Sequence, residues 1–286
     1  MQTANRLPEL RAAVDSLRGA RGEVALVPTM GALHEGHLSL VREARRRAPV
    51  VVVSIFVNPT QFGPNEDLAA YPRQIEEDAR LLRAEGVDLL WAPPTDEVYP
   101  EGFATKVSVG GLSERLCGAS RPGHFDGVAT VVAKLFNQVR PDWAVFGEKD
   151  WQQLAVIRRM ARDLDLSQPS AERILGVPIV READGLAMSS RNRYLSTDDR
   201  QRAAALPRLM RDAAAAIAQG APVTETVDRL SQGLLGEGFA RVDYAEVADA
   251  TTLQPLGAVG SAPARLFVAA RIGGTRLIDN VAIENG

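Results

Sequence analysis

Two short apolar runs, Val24 to Val27 and Val50 to Val57, constrain the fold more than any other stretch of the chain. Both are rich in β-branched residues and neither alternates with polar ones, the pattern of strands covered on both faces in a parallel sheet. A parallel neighbour requires a crossover, and His37 to Ala48 supplies one: Leu38, Val41 and Ala44 recur at helical spacing, opposite Arg42 and Arg45 to Arg47. The pattern repeats. Arg73 to Glu85 predicts an amphipathic helix closed by Gly86, and Val87 to Trp91 a strand. His124 to Val139 and Trp151 to Leu164 predict helices; Trp143 to Phe146 and Glu172 to Val177 predict strands. Strands alternating with helices predict an α/β fold, a doubly wound parallel sheet with right-handed crossovers.

After about Val180 the pattern changes, beginning with a hairpin turn at Ala183-Asp184-Gly185. Asp198 to Gln219 reads as an alanine-rich helix and Val223 to Leu235 as another, while Val242 to Val247, Arg265 to Ala270 and Arg276 to Ala282 read as strands, the last two joined at Gly273-Gly274. A chain of 286 residues exceeds a single domain of roughly 100 to 200. The expectation is therefore a larger domain over residues 1–180 and a smaller α+β domain over 181–286. With 45% hydrophobic and 24% charged residues, and no biased segment, the chain should be folded throughout. A net charge of −3 creates no basic field, which argues against nucleic-acid or membrane binding and makes any anion site local. The single cysteine, Cys117, cannot form an intrachain disulfide, and Met1 to Leu10 lacks the pattern of a secretory signal, so the cytoplasm is the expected location. No apolar run approaches the roughly 20 residues of a membrane helix.

The segment Pro28-Thr29-Met30-Gly31-Ala32-Leu33-His34-Glu35-Gly36-His37 lies between the first strand and the first helix of the sheet. Ligands of open α/β sheets bind beyond the carboxyl ends of strands, where a helix N-terminus favours phosphate. Two histidines three apart there can aim donors at one phosphate group; they also read as ordinary polar loop residues. A zinc reading is weaker, because His-Glu-Gly-His is one residue short of the zinc-peptidase spacing and the only other histidine is His124. Phe146-Gly147-Glu148-Lys149-Asp150-Trp151-Gln152-Gln153 occupies a second strand-to-helix junction, where Gly147 permits close backbone approach and Lys149 supplies a mobile charge. In isolation Lys149 and Asp150 read more naturally as a solvated pair. Met188-Ser189-Ser190-Arg191-Asn192 offers two hydroxyls and a guanidinium in succession, suited to a triphosphate or, equally, to a polar interdomain loop.

His34-Glu35-Gly36-His37 resembles the signature of the nucleotidylyltransferase superfamily. Together with Ser54 to Phe62, Tyr71-Pro72-Arg73 and the two later stretches, it resembles the pantothenate synthetase (pantoate–β-alanine ligase) family, from about Val27 to Leu195 and more weakly over Leu266 to Glu284. The resemblance implies a Rossmann-like domain with a C-terminal lid over ATP, and condensation of pantoate with β-alanine through pantoyl adenylate, releasing AMP and pyrophosphate. It implies His37, His34, Lys149 and Arg191 as catalytic groups, His37 being the residue usually assigned as proton donor. ATP contacts are implied for Met30, Gly31, Ala32, Leu33, His34, Glu35, Gly36 and His37, for Gly147, Glu148, Lys149 and Asp150, and for Val180, Met188, Ser189, Ser190 and Arg191. Gln61 and Gln153 resemble the pantoate ligands. Arg121 and His124 match a segment lining the cleft, with a loop role nearly as natural. Mg²⁺ is expected with ATP, held mainly by phosphate oxygens and water, and no residue is assigned as its ligand. Glu77 and Asp78 match acidic positions near the metal, but they fall on the polar face of a helix and Leu81 replaces a polar residue, so solvation is their expected role. A homodimer is implied, with no nucleic acid or membrane partner. Two further readings are a nucleotidylyltransferase acting on a phosphorylated small molecule, which leaves Gln61, Gln153 and the second domain without a task, and a nucleotide sensor without turnover.

Overall fold

The computed structural model describes residues 1–64 and 66–284. In chain order the first part runs β1 (Gln2–Ala4), α1 (Leu7–Arg21), β2 (Val24–Thr29), α2 (Glu35–Arg47), β3 (Val50–Ile55), α3 (Ile75–Ala84), β4 (Leu89–Trp91), α4 (Thr95–Val98), α5 (Cys117–Ser120), α6 (His124–Val139), β5 (Trp143–Gly147), α7 (Trp151–Asp163) and β6 (Ile174–Val177). The two apolar runs form the centre of a parallel sheet of order β1-β4-β3-β2-β5-β6, and Val24 to Val27 and Val50 to Val53 are wholly buried. Their pairing runs in register from Val24 opposite Val50 to Thr29 opposite Ile55. From β2 the chain builds outward through β3 and β4, then returns to lay β5 on the other side of β2, Ala25 opposite Trp143. The topological switch therefore falls between β2 and β5, which puts the loops at their carboxyl ends where ligands of such sheets bind. The helix α6 is apolar on nearly every side, as a helix buried all round must be.

Boundaries move where local chemistry overrides periodicity. The helix α2 starts at Glu35 rather than His37, because the extended His34 is its N-cap and the His34 carbonyl accepts from the His37 and Leu38 amides at 2.8 and 3.1 Å. The strand β6 starts at Ile174 rather than Glu172, since Ala171–Arg173 closes a 3-10 turn.

The later part contains α8 (Thr197–Ala203), α9 (Ala205–Ala218), α10 (Val223–Gly236) and an antiparallel sheet of β7 (Arg241–Asp249), β8 (Ala264–Ile272) and β9 (Thr275–Ile283) in that order. The helix expected over Asp198 to Gln219 is two helices. Pro207 has no N–H for the Ala203 carbonyl and its ring crowds that oxygen, so the ladder breaks at Ala204. As expected, Gly273-Gly274 turns β8 into β9, both glycines having positive φ.

Packing divides the chain into two compact units. One comprises Met1–Ser113, Arg121–Glu148 and Gln153–Pro178; the other comprises Glu114–Ser120, Lys149–Gln152 and the chain from Ile179 onward. The two short insertions are tied into the second unit. Arg115 pairs with Glu246 at 3.0 Å and donates to the Leu253 carbonyl, and the Trp151 indole N–H donates to the Ala250 carbonyl at 2.7 Å. Its core is the cluster of Leu206, Met210, Leu230, Leu234, Leu266 and Val268. No described helix is long and apolar enough to cross a membrane.

Candidate active site

Beyond β2 the chain reverses through two consecutive residues with positive φ, Gly31 at 82° and Ala32 at 51°. Glycine is required at 31: a Cβ there would stand 2.9 Å from Asp78 Oδ2. The same carboxylate determines the loop. Asp78 accepts from the Ala32 amide through Oδ2 at 2.9 Å and from the Leu33 amide through Oδ1 at 2.8 Å, and the Gln74 side-chain amide donates to Oδ1 at 3.2 Å. Asp78 is only 1% exposed, so the solvated role expected for it is wrong. It lies on the first turn of α3, where the dipole favours a carboxylate, but it faces two amides that would otherwise be buried without partners. Its neighbour Glu77 is exposed and pairs with Arg80, as a solvated residue should.

Held this way, the loop delivers His34 and His37 to the start of α2, half-buried, with ring centroids 4.1 Å apart. The His34 backbone N–H donates to His37 Nδ1 at 3.3 Å. An imidazole that accepts at Nδ1 carries its proton on Nε2, so His37 is oriented as a donor through Nε2.

Gln61 is fixed from three sides. Its Nε2 donates to Met30 Sδ at 3.0 Å, its Oε1 accepts from Asn58 Nδ2 at 3.1 Å, and its carbonyl accepts from His124 Nδ1 at 2.8 Å and Arg121 Nη2 at 3.2 Å. Asn58, 1% exposed, is the hub that sequence reading passed over. Its Oδ1 accepts from Tyr99 Oη at 2.8 Å and Thr60 Oγ1 at 2.9 Å, and its Nδ2 also donates to the Gly127 carbonyl at 3.1 Å. Burial pushes the Tyr99 phenol up, which keeps it a donor. A Cβ on Gly127 would lie 2.4 Å from the Thr60 carbonyl oxygen, so α6 can approach the Gln61 turn only with glycine there. The available signal was Asn58 before Pro59, a residue type that caps turns.

Arg121 and His124 therefore hold the turn that carries Gln61. Arg121 grips Glu66 with two bonds of 2.6 Å and donates Nη1 to His124 Nε2 at 3.0 Å. Burial alone would raise the Glu66 carboxyl; the Arg121 guanidinium and the Gly63 amide outweigh it and carry the group down to about 2. A carboxyl depressed in the folded state stabilises the fold above its unfolded value and loses that contribution as pH falls. The stability gap between the native chain and Glu66→Gln, read from urea midpoints, should accordingly be full above pH 4.5 and close as pH drops toward about 2. A gap that stays constant over that window would remove the ion pair from the account.

In the second unit, Lys149 is 21% exposed and lies 3.7 Å from Asp150 Oδ2, a loose pairing. A Cβ on Gly147, at the end of β5 in the first unit, would meet nothing within 4 Å. Of the two adjacent glutamines on α7, Gln152 is structural: it is 5% exposed, its Oε1 accepts from the Cys117 amide at 3.0 Å and its Nε2 donates to the Arg115 carbonyl at 2.7 Å. Gln153 is half-buried.

Val180 and Met188 face each other across a hairpin, the Met188 amide donating to the Val180 carbonyl at 3.0 Å. Arg181 anchors this hairpin to β9 by two bonds to Asp279, at 2.7 and 3.0 Å, and Asp279 has no side-chain exposure. Asn192 binds back to Glu182 at 2.8 Å and to the Ala187 carbonyl at 3.1 Å. Ser189 Oγ accepts from the Arg191 amide at 3.3 Å, capping the 3-10 turn Ser190–Tyr194, and its own O–H can still donate outward. Among the described residues no cluster of three His, Cys, Asp or Glu could hold a metal ion, and both Asp78 oxygens are engaged with N–H donors.

Known proteins resemble this chain along nearly its whole length. Residues 2–282 match the family model described as Pantoate-beta-alanine ligase. The pantothenate synthetase of Novosphingobium aromaticivorans is 65% identical over 99% of this chain and 99% of its own length, and that of Sphingopyxis alaskensis is 62% identical over 99% and 100%. The crystal structure of pantothenate synthetase from Thermus thermophilus superposes with a TM-score of 0.92 at 50% identity, covering 99% of both chains. The pantoate-beta-alanine ligase from Francisella tularensis, solved with beta-gamma ATP and beta-alanine, does so with a TM-score of 0.82 at 34% identity, covering 100% of this chain and 99% of that one. With the doubly wound sheet, the buried carboxylate behind the histidine loop and a match that leaves almost no residue outside it, the chain belongs to the pantoate-beta-alanine ligase family.

Proposed function

We propose that this chain condenses pantoate with β-alanine at the expense of ATP, through pantoyl adenylate, releasing AMP and pyrophosphate. The pantoate carboxylate attacks the α-phosphorus and pyrophosphate leaves; the neutral amine of β-alanine then attacks the acyl carbon, AMP leaves and an amine proton passes to solvent. Both attacking groups belong to substrates, so the protein's task is alignment and stabilisation of charge on phosphate oxygens. The observation that carries this reading is the loop Met30 to His37, locked by Asp78 at the switch point of the sheet with His37 oriented to donate through Nε2.

In this reading Met30 to His37, Gly147 to Asp150, Val180 and Met188 to Arg191 contact ATP. His34, His37, Lys149 and Arg191 act as donors to its phosphates, and Gln61 and Gln153 hold pantoate. The rigid setting of Gln61 by Asn58, Arg121 and His124 supports its part, because an amide fixed at both ends can discriminate a small hydroxy acid. Mg²⁺ enters as part of the MgATP substrate, since the acidic residues nearest the loop are already engaged. A cytoplasmic homodimer, implied by the family resemblance, completes the proposal.

The test is release of AMP and pyrophosphate from ATP and Mg²⁺. AMP should appear only when both pantoate and β-alanine are present. Pyrophosphate release that requires a phosphorylated acceptor, or no release at all, would end the proposal.

A further inference from the structure

Strand β9 carries two consecutive buried polar residues, Asp279 at 3% and Asn280 at 2% exposure, opposite the apolar Val268 and Phe267 of β8. Burying polar side chains costs free energy unless they are partnered, so their partners define their purpose. Asp279 holds the Arg181 hairpin, as described. Asn280 points to the other face of the strand and reaches Lys149: its Nδ2 donates to the Lys149 carbonyl at 3.0 Å. The direction of this amide is not free. Arg265 Nε, which can only donate, bonds to Asn280 Oδ1 at 2.8 Å, so the N–H side must face Lys149. The guanidinium of Arg265 in turn lies 3.8 Å above the ring of Trp151, whose indole is bonded to the Ala250 carbonyl. Residues 149 to 151 are thus held at one backbone carbonyl and one ring, while the Lys149 side chain makes a loose 3.7 Å approach to Asp150.

We infer that Asn280 is a positioning residue: by holding the Lys149 carbonyl it aims the Lys149 ammonium at the phosphates of ATP. This inference rests on the reading of Lys149 as an ATP ligand. A long flexible side chain contributes to one geometry only if its Cα–Cβ bond is directed, and the strand provides that direction from a residue 131 positions away in sequence.

The experiment is a double-variant cycle with Asn280→Asp and Lys149→Ala, measured as kcat/KM for ATP and KM for pantoate. Asn280→Asp preserves size and the acceptor for Arg265, but sets a carboxylate oxygen against the Lys149 carbonyl. In the native background it should lower kcat/KM for ATP about tenfold and leave KM for pantoate within about twofold; in Lys149→Ala it should add less than about twofold. No change in the native background, an equal loss in both backgrounds, or a matching rise in KM for pantoate overturns the inference. Failure of the underlying reading is visible separately, because Lys149→Ala alone would then leave the ATP kinetics unchanged. If Asn280→Asp does not fold, Asn280→Ser, which is too short to reach the carbonyl, takes its place in the same cycle.

Discussion

Replacing Asp78 with alanine should destabilise the protein by about 2–6 kcal/mol, because it strips the acceptor from two buried amides at roughly 1–3 kcal/mol each. The amides of Ala32 and Leu33 have no water to turn to, and the loop that presents His34 and His37 depends on them. Activity should fall with stability, and should stay low at temperatures where the variant remains folded, since the histidine loop is no longer held. The control is the adjacent Glu77→Ala, which removes an exposed partner of Arg80 and should leave the urea midpoint where it was. Equal effects of the two substitutions would show that the carboxylate at 78 does not hold the loop.

For His37→Ala the expected loss is in turnover, at least tenfold and up to about a thousandfold, the range for removing one preorganised donor to a developing charge. One factor of ten corresponds to about 1.4 kcal/mol of barrier. The fold should survive, because the side chain lies half-buried at the first turn of α2 and the helix retains its backbone bonds to the His34 carbonyl. Pyrophosphate release in a single turnover, alongside the thermal midpoint, separates the two quantities. Unchanged turnover would remove His37 from the mechanism.

Asp78 also marks where sequence reading stops. The helix around it was legible from the spacing of apolar residues, and periodicity placed residue 78 on the polar face. What that polar side chain meets is a loop 45 and 46 positions earlier, and no local pattern encodes such a partner. The same holds at α7, where Gln152 and Gln153 are equivalent as letters. Only packing assigns the first to the Cys117 amide and the Arg115 carbonyl. Pro207 is the opposite case: the signal for a helix break was present, and an alanine-rich stretch on both sides obscured it.

The buried strands, the helix α6 from His124 to Val139, the Gly273-Gly274 turn and the change of architecture after the first sheet were determined by residues within a few positions of each other. Hydrophobic periodicity and turn chemistry act at that range, and a strand covered on both faces has little choice but to be apolar throughout. The anchoring of Gln61 through Asn58, Arg121 and His124, the locking of the histidine loop by Asp78 and the hold of Asn280 on Lys149 were decided by the tertiary structure alone. A buried polar group takes whichever partner the completed fold brings to it, and folding brings together residues that the sequence keeps far apart.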